Sequence, residues 1–328
     1  MAGLPRNIYQ QQEANRRNTI VVMMLFVLFV ALLGYGFDSF ILGVGFSPAH
    51  RGLAFPVATV LAVVLGSFSA LWSLESGATA VLTSSGAEPV NPGDPRYQQL
   101  SNVVDEMSIA AGLPRPHLYV IPDPDPNAFA TGRDPAHASI AVTQGLLDRL
   151  NRDELQGVIA HEMSHVRNYD IRTMTVIAAL IGAVMLLCEM GLRTMRFGGG
   201  RRSSSSNRGA GGAVFFLLWL VAMLLAPLLA RLLAMAVSRQ REYLADASGA
   251  ELTRNPTALA SALEKIDSAV DPTRSIKKGT AHLCIADPLG SERNEREGFL
   301  ANIFATHPPI GKRITLLKAM GYQHSPVG

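Results

Sequence analysis

The chain is 328 residues long, 48% apolar and only 17% charged, with a formal net charge of +3 and two cysteines. So apolar a composition is unusual for a soluble protein, and a small, scattered charge with no basic stripe interleaved with aromatics argues against a nucleic-acid binder. Cys188 and Cys284 lie far apart in no Cys-x-x-Cys spacing, and free thiols suit a cytoplasmic catalytic part.

The apolar residues are clustered. Thr19 to Phe37 and Leu53 to Trp72 carry no charge; as helices rising about 1.5 Å per residue, each spans a hydrocarbon core of about 30 Å. A cleaved signal peptide fits the first poorly, because its apolar core is too long and no small-x-small site follows. Arg6, Arg16 and Arg17 precede the first span, whereas the connection from Asp38 to Gly52 sets only Arg51 against Asp38. The positive-inside rule therefore puts residues 1–18 in the cytoplasm as a tail, makes 19–72 two transmembrane helices, and returns the chain to the cytoplasm for the domain 73–328, which a hydrophobic hairpin at 174–230 interrupts.

Ser73 to Pro92 is small and polar and reads as the exit from the membrane. Pro95 opens a helix with Leu100, Val103, Val104, Met107 and Ala111 on one stripe, closed by Gly112 and Pro114. His117 to Ile121, Asn127 to Thr131 and Ala138 to Thr143 are short, rich in β-formers and bounded by Pro, Asp or Gly, which predicts a small sheet. Asn151 and Glu154 then have capping-box spacing, followed by Leu155, Val158, Ile159, Glu162 and Val166 at helical intervals.

That helix carries His161-Glu162-Met163-Ser164-His165. Two imidazoles one turn apart can hold one zinc ion at about 2 Å, with Glu162 a third of a turn round, facing the position left for water. Such a string arises by chance in roughly one chain in a hundred of this length, and histidines bonded in a core or facing solvent are the alternative. A catalytic zinc also needs a third protein ligand.

Beyond Asp170, Met174 to Leu192 and Ala213 to Ala230 are apolar and flank a Gly/Ser/Arg segment with Arg193, Arg196, Arg201, Arg202 and Arg208 and no acid. This hairpin over 174–230 either spans the bilayer or is re-entrant, and the arginines oppose placing its tip outside. Glu189 near its end snorkels or, less simply, serves a proton relay. Both topologies return the chain to the same side, where a helix from Ala234 through Ala250 can meet the motif. Glu242 and Asp246, four residues apart on one face, supply the third ligand and an acceptor for a ligand histidine's other ring N–H. The alternative is an exposed acidic pair neutralised by Arg239 and Arg241. Asn255 and Pro256 start a further helix with Leu259, Leu263, Ile266 and Val270 inward. Residues 271–298 read as loop. His307-Pro308-Pro309 precedes a short helix with Arg313, Ile314 and Leu317 that Gly321 ends; His307, held in an extended turn, is an active-site donor or solvent-exposed.

Four motifs in one order, Asn127 to Gly132, His161-Glu162-x-x-His165, Ser238 to Glu242 with Asp246, and Ala305-Thr306-His307-Pro308-Pro309, resemble the HtpX-type membrane zinc metalloproteases, relatives of the CAAX prenyl proteases. The resemblance implies a gluzincin fold within an α+β membrane protein that is mainly α-helical, with transmembrane helices and a zincin-like metalloprotease domain with a small β-sheet. It implies one Zn2+ per chain on His161, His165 and Glu242, Glu162 as general base, and Asp246 behind a ligand. Asn127, Ala128, Phe129 and Ala130 become the edge strand along the substrate backbone, His307 a substrate contact and Arg313 an arginine packed near the site. The expected activity is a membrane-anchored zinc endopeptidase at the cytoplasmic face of a bacterial or archaeal inner membrane, acting on unfolded or membrane proteins in quality control. A dedicated processing protease for one lipidated or membrane precursor is the alternative. A zinc-binding scaffold would lack a base or a ligand, and a transporter would need polar groups near the membrane midplane. Protein substrates and membrane lipid are the expected partners, with no nucleic acid.

Overall fold

The computed structural model describes residues 8–40, 55–91, 93–181, 241–269, 283–286 and 308–324. Helices α1 (Ile8–Phe40) and α2 (Val57–Ser84) pack along each other. Gly34 permits the closest approach, since a Cβ there would lie 2.8 Å from the Ala58 carbonyl oxygen. Asp38, at the end of α1, accepts hydrogen bonds from the Ala58 and Thr59 N–H groups at 3.0 and 2.7 Å. The first N–H groups of a helix lack internal partners, so this carboxylate caps α2 and meets the positive end of its dipole.

Glu13–Gly36 and Val57–Ser84 have mean hydropathies of 2.5 and 2.0 and are long enough to cross a bilayer. Leu25, Leu28, Leu32, Leu61, Leu65 and Phe68 are 45% to 66% exposed. So broad an apolar face is anomalous in water and ordinary against lipid.

Both helices outrun their apolar cores. The stretch after Trp72, read as the exit from the membrane, is helical as far as Ser84, and its small residues serve helix packing: Ala70, Ser73, Gly77 and Val81 form a buried stripe. A Cβ at Gly77 would come 3.1 Å from Thr175 Cγ2. Small residues at that spacing let helices approach closely.

The sheet contains β1 (Glu88–Pro89), β2 (His117–Ile121), β3 (Ala128–Gly132) and β4 (Ala138–Thr143) in the order β1-β2-β4-β3. β2 and β4 are parallel, with Leu118 beside Ile140, whereas β3 and β4 form an antiparallel hairpin with Ala130 opposite Ile140. Three strands fall where the sequence places them, β3 shifted by one residue. The two-residue β1 carries no periodicity to detect. Gly132 sits at φ 148, and a Cβ there would lie 2.5 Å from the His137 carbonyl oxygen, so the hairpin requires glycine.

A 3-10 turn at Pro95–Tyr97 leads into α3 (Gln98–Ala111), which ends at Gly112 in the left-handed conformation. The short α4 (Gln144–Arg149), absent from the sequence reading, is capped by the Thr143 hydroxyl, which accepts from the Leu146 N–H. α5 (Arg152–Arg167) starts with the full capping box: Glu154 N–H donates to Asn151 Oδ1 and Asn151 N–H to Glu154 Oε2, each at 2.9 Å. α6 covers 170–181 and α7 covers 241–253. α8 (Pro256–Asp267) has Asn255 as its cap, and α9 (Ile310–His324) follows. Gly321 does not end α9. A Cβ there would meet Thr257 Cγ2 at 2.7 Å, so it is a packing glycine at the α8 contact.

The main core surrounds α5. Val158, Ile159, Met163 and Val166 pack with Val103 and Val104 of α3, Ile140 of β4, Leu259 and Leu263 of α8 and Leu317 of α9. A second cluster joins Val22, Phe26 and Val30 of α1 to Val176, Ile177 and Leu180 of α6. Of the expected hairpin, only its first turns in α6 fall among the described residues; Glu189, the Gly/Ser/Arg segment and the second apolar stretch lie outside them.

Candidate metal centre

α5 is buried without interruption from Gly157 to Val166, so its polar groups need partners inside the protein. α7 provides them. Gly249 brings it against α5, where a Cβ would stand 3.0 Å from the His161 backbone nitrogen. One donor atom each from His161, His165 and Glu242 lies within 4.8 Å of the others, and all three residues are buried. His161 Nε2 is 3.7 Å from Glu242 Oε2, and His165 Nε2 is 3.5 Å from Glu242 Oε1. Two ligands of a tetrahedral zinc ion at about 2.05 Å lie about 3.4 Å apart, so the three fit such an ion. Neither ring nitrogen of the buried His161 makes a well-aligned hydrogen bond, although Nδ1 has a carboxylate nearby; leaving Nε2 without a hydrogen bond is costly unless a metal takes its lone pair.

Each imidazole turns its other nitrogen to a carboxylate. His161 Nδ1 is 3.0 Å from Asp246 Oδ1, and His165 Nδ1 is 3.2 Å from Asp170 Oδ2. That arrangement leaves Nε2 of both rings aimed at the shared point. Burial alone would push the His165 imidazole down, but Asp170 and Glu242 hold it up at about 10. The pocket thus favours positive charge where a dication would sit.

Arg313 of α9, 1% exposed, grips Asp246 through Nε and Nη2, both at 2.8 Å, and donates from Nη1 to the Ile285 carbonyl at 2.7 Å. Burial would raise the Asp246 carboxyl; the Arg313 guanidinium and the His161 contact hold it at about 2. Arg241 is also buried, with Nε 3.5 Å from Asp170 Oδ1. The acidic pair on α7 is therefore an interior one, not the exposed alternative. Arg239 lies outside the described residues.

Glu162 is 1% exposed, and one of its carboxylate oxygens has no hydrogen-bond partner. Burial pushes its pKa up and the Glu242 charge adds to that, against the pull of both histidines and a hydrogen bond from the Ala130 N–H. A carboxylate held in this way is a better base than an exposed one.

Of the expected substrate strand Asn127, Ala128, Phe129 and Ala130, the edge is covered over Asn127 to Phe129. β3 is the edge strand, yet all five of its residues are buried. Residues 283–286, from the stretch read as loop, lie along it: Phe129 pairs with Cys284, and Ile285 N–H donates to the Ala128 carbonyl at 2.9 Å. Asn127 Nδ2 donates to the Ala286 carbonyl at 3.3 Å, and the Gly132 N–H to Thr175 Oγ1 at 3.1 Å. A buried edge must have its backbone groups satisfied, and here the chain does this itself. His307 lies outside the described residues. Asp170 escaped the sequence reading; its only signal is a carboxylate just past the motif helix.

A closed structural zinc site uses four protein ligands, whereas a hydrolytic one keeps a position free beside a base. Three donors with Glu162 against them match the second pattern, and the fold and site define a metallopeptidase. The sequence profile of peptidase family M48 matches residues 95–321, and the chain belongs to that family. It is 43% identical over 315 residues to the "Protease HtpX homolog" of Caldanaerobacter subterraneus subsp. tengcongensis, covering 96% of this chain and 98% of that one. The protein of the same name from Tropheryma whipplei is 42% identical over 316 residues, covering 96% and 99%. Among solved structures, the crystal structure of S. mikatae Ste24p matches with a TM-score of 0.49 at 18% identity, covering 94% of this chain and 67% of that one.

Proposed function

We infer that the protein is a membrane-anchored zinc endopeptidase whose ion is held by His161, His165 and Glu242, one per chain, with Glu162 as general base. The carrying observation is the convergence of those three donors within 4.8 Å around a buried, uncapped carboxylate oxygen. When bound, zinc supplies Lewis acidity that polarises the scissile carbonyl and acidifies the attacking water.

The protein's own groups do the rest. Glu162 removes the proton from the water and delivers it to the leaving nitrogen, while the Ala130 N–H fixes the carboxylate in place. Asp246 and Asp170 hold the two imidazoles in their ligating orientation, and Arg313 keeps Asp246 ionised. His307 donates to the oxyanion, a type of contact whose loss typically costs about 2.7–4 kcal/mol of barrier. An extended substrate runs along β3 at Ala130; pairing further along Asn127 to Phe129 requires residues 283–286 to give way.

The arginine bias of the N-terminal segment supports a catalytic domain on the cytoplasmic side, and the packing of α6 against Val22, Phe26 and Val30 supports entry of the 174–230 hairpin into the bilayer. Unfolded or membrane proteins are the substrates of this reading, in quality control. The covered β3 edge favours a second one, a processing enzyme for a single lipidated or membrane precursor that can displace 283–286.

Proteolysis of casein by detergent-purified protein, kept in chelator until one equivalent of zinc is added, tests the inference. Cleavage by the wild type and none by Glu162→Gln is expected. Equal cleavage by both sinks Glu162 as the base. Activity on neither casein nor any membrane precursor, with zinc bound, leaves a scaffold.

A further inference from the structure

The motif helix ends in a turn that the reaction does not use. α5 stops at Arg167, Asn168 follows, and Tyr169 stands at φ 59 before α6 begins. An aromatic residue in the left-handed region is strained by about 1–3 kcal/mol and persists there only where its surroundings hold it. Those surroundings are the start of the first membrane helix. Asn15, 1% exposed, donates from Nδ2 to the Asn168 carbonyl at 2.8 Å and to Asp170 Oδ1 at 2.7 Å. The Arg16 guanidinium lies 5.3 Å from the centre of the Tyr169 ring, and Thr19 Oγ1 is 2.9 Å from Thr173 Oγ1.

Asp170 is fully buried, and its two oxygens are divided between these partners. Oδ1 takes the Asn15 amide and lies 3.5 Å from Arg241 Nε; Oδ2 faces His165 Nδ1 at 3.2 Å. A carboxylate fixed through one oxygen cannot swing away from the imidazole at the other.

We propose that Asn15 is a positioning residue for His165, acting through Asp170, so that the first membrane helix sets the orientation of a metal ligand. Asp170 accepts the Nδ1–H of His165 and leaves the Nε2 lone pair directed at the ion. Asn15, at 2.7 Å and closer than Arg241 on the same oxygen, pins Oδ1 so that Oδ2 stays on His165. The membrane anchor is then a working part of the metal site as well as a tether. This rests on the reading of His165 as a ligand.

The test is zinc affinity, by competition with a chromophoric chelator, and the visible spectrum of the Co2+-loaded protein. Both use full-length protein in detergent with Glu162→Gln in the background. Partners behind a metal-bound histidine typically contribute 10–100-fold in affinity. Asp170→Asn and Asn15→Leu should each weaken zinc about tenfold or more and change the cobalt spectrum. Thr19→Val, which removes a neighbouring contact of the same helix but none to Asp170, should change neither. Wild-type affinity and spectrum in Asn15→Leu overturn the proposal, as does an equal loss in Thr19→Val, which would reduce Asn15 to a docking contact. If Asn15→Leu does not fold, Asn15→Ser, whose hydroxyl is too short to reach Asp170, replaces it with the same expectations. His165→Ala separates the two readings: undiminished zinc affinity there removes His165 as a ligand, whatever Asn15 does.

Discussion

Removing Arg313 should destabilise the protein far more than an ordinary charge deletion. Its guanidinium makes two bonds to Asp246 at 2.8 Å and one to the Ile285 carbonyl at 2.7 Å, in a position 1% exposed. Arg313→Leu keeps much of the packing volume but leaves the Asp246 carboxylate buried without its cation. Breaking one side of a buried pair costs about 3–5 kcal/mol, and the stranded Ile285 carbonyl adds about 1–3 kcal/mol. At about 2–4 °C per kcal/mol for a chain of this order of size, the melting point should fall by more than roughly 8 °C. The double variant Arg313→Leu with Asp246→Leu should recover part of that loss, because the Asp246 carboxylate is then no longer left buried without its cation. Thermal melts in detergent, monitored by circular dichroism, decide it. A melting point within about 2 °C of wild type for Arg313→Leu refutes the reasoning, and so does a double variant whose loss equals the sum of its parts.

Three further outcomes are expected. Burial raises the Glu154 carboxyl, but the Lys265 ammonium, the Ser261 hydroxyl and the Asn151 N–H outweigh it and hold it below its ordinary 4.5. Its contribution is therefore present above about pH 4.5 and lost as pH falls; Glu154→Gln should cost about 1 kcal/mol at pH 7 and little near pH 3, read from melts across that range. Gly132→Ala should cost about 2–3 kcal/mol, since φ 148 excludes a side chain and its Cβ would meet the His137 carbonyl at 2.5 Å. Zinc at a hundredfold excess over its dissociation constant should stabilise wild type and Glu162→Gln alike by about 2.7 kcal/mol and His161→Ala hardly at all. An equal rise in all three would mean that the ion binds elsewhere.

Sequence periodicity reached the elements whose logic is local. The capping box at Asn151 and Glu154, the one-turn spacing of His161 and His165 and of Glu242 and Asp246, and the cap at Asn255 are all written within a few residues. What escaped depends on distant partners. The helical continuation of α2 past Trp72 is stabilised by contact with Thr175, and the closure of the β3 edge by residues 283–286. Asp170 joins the site across a strained turn, and its partner Asn15 precedes it by 155 residues. Gly321 looked like a helix stop because a glycine at an end and a glycine at a packing contact are the same letter; only Thr257 distinguishes them.

The most direct measurement is zinc X-ray absorption on Glu162→Gln, beside zinc stoichiometry in Glu242→Ala. One zinc per chain, with two imidazole nitrogens and a carboxylate oxygen at about 2.0–2.2 Å, is expected in the first, and loss of most of the metal in the second. A shell with fewer than two imidazoles, or a full complement of zinc in Glu242→Ala, would contradict the assignment of His161, His165 and Glu242 as the metal's ligands.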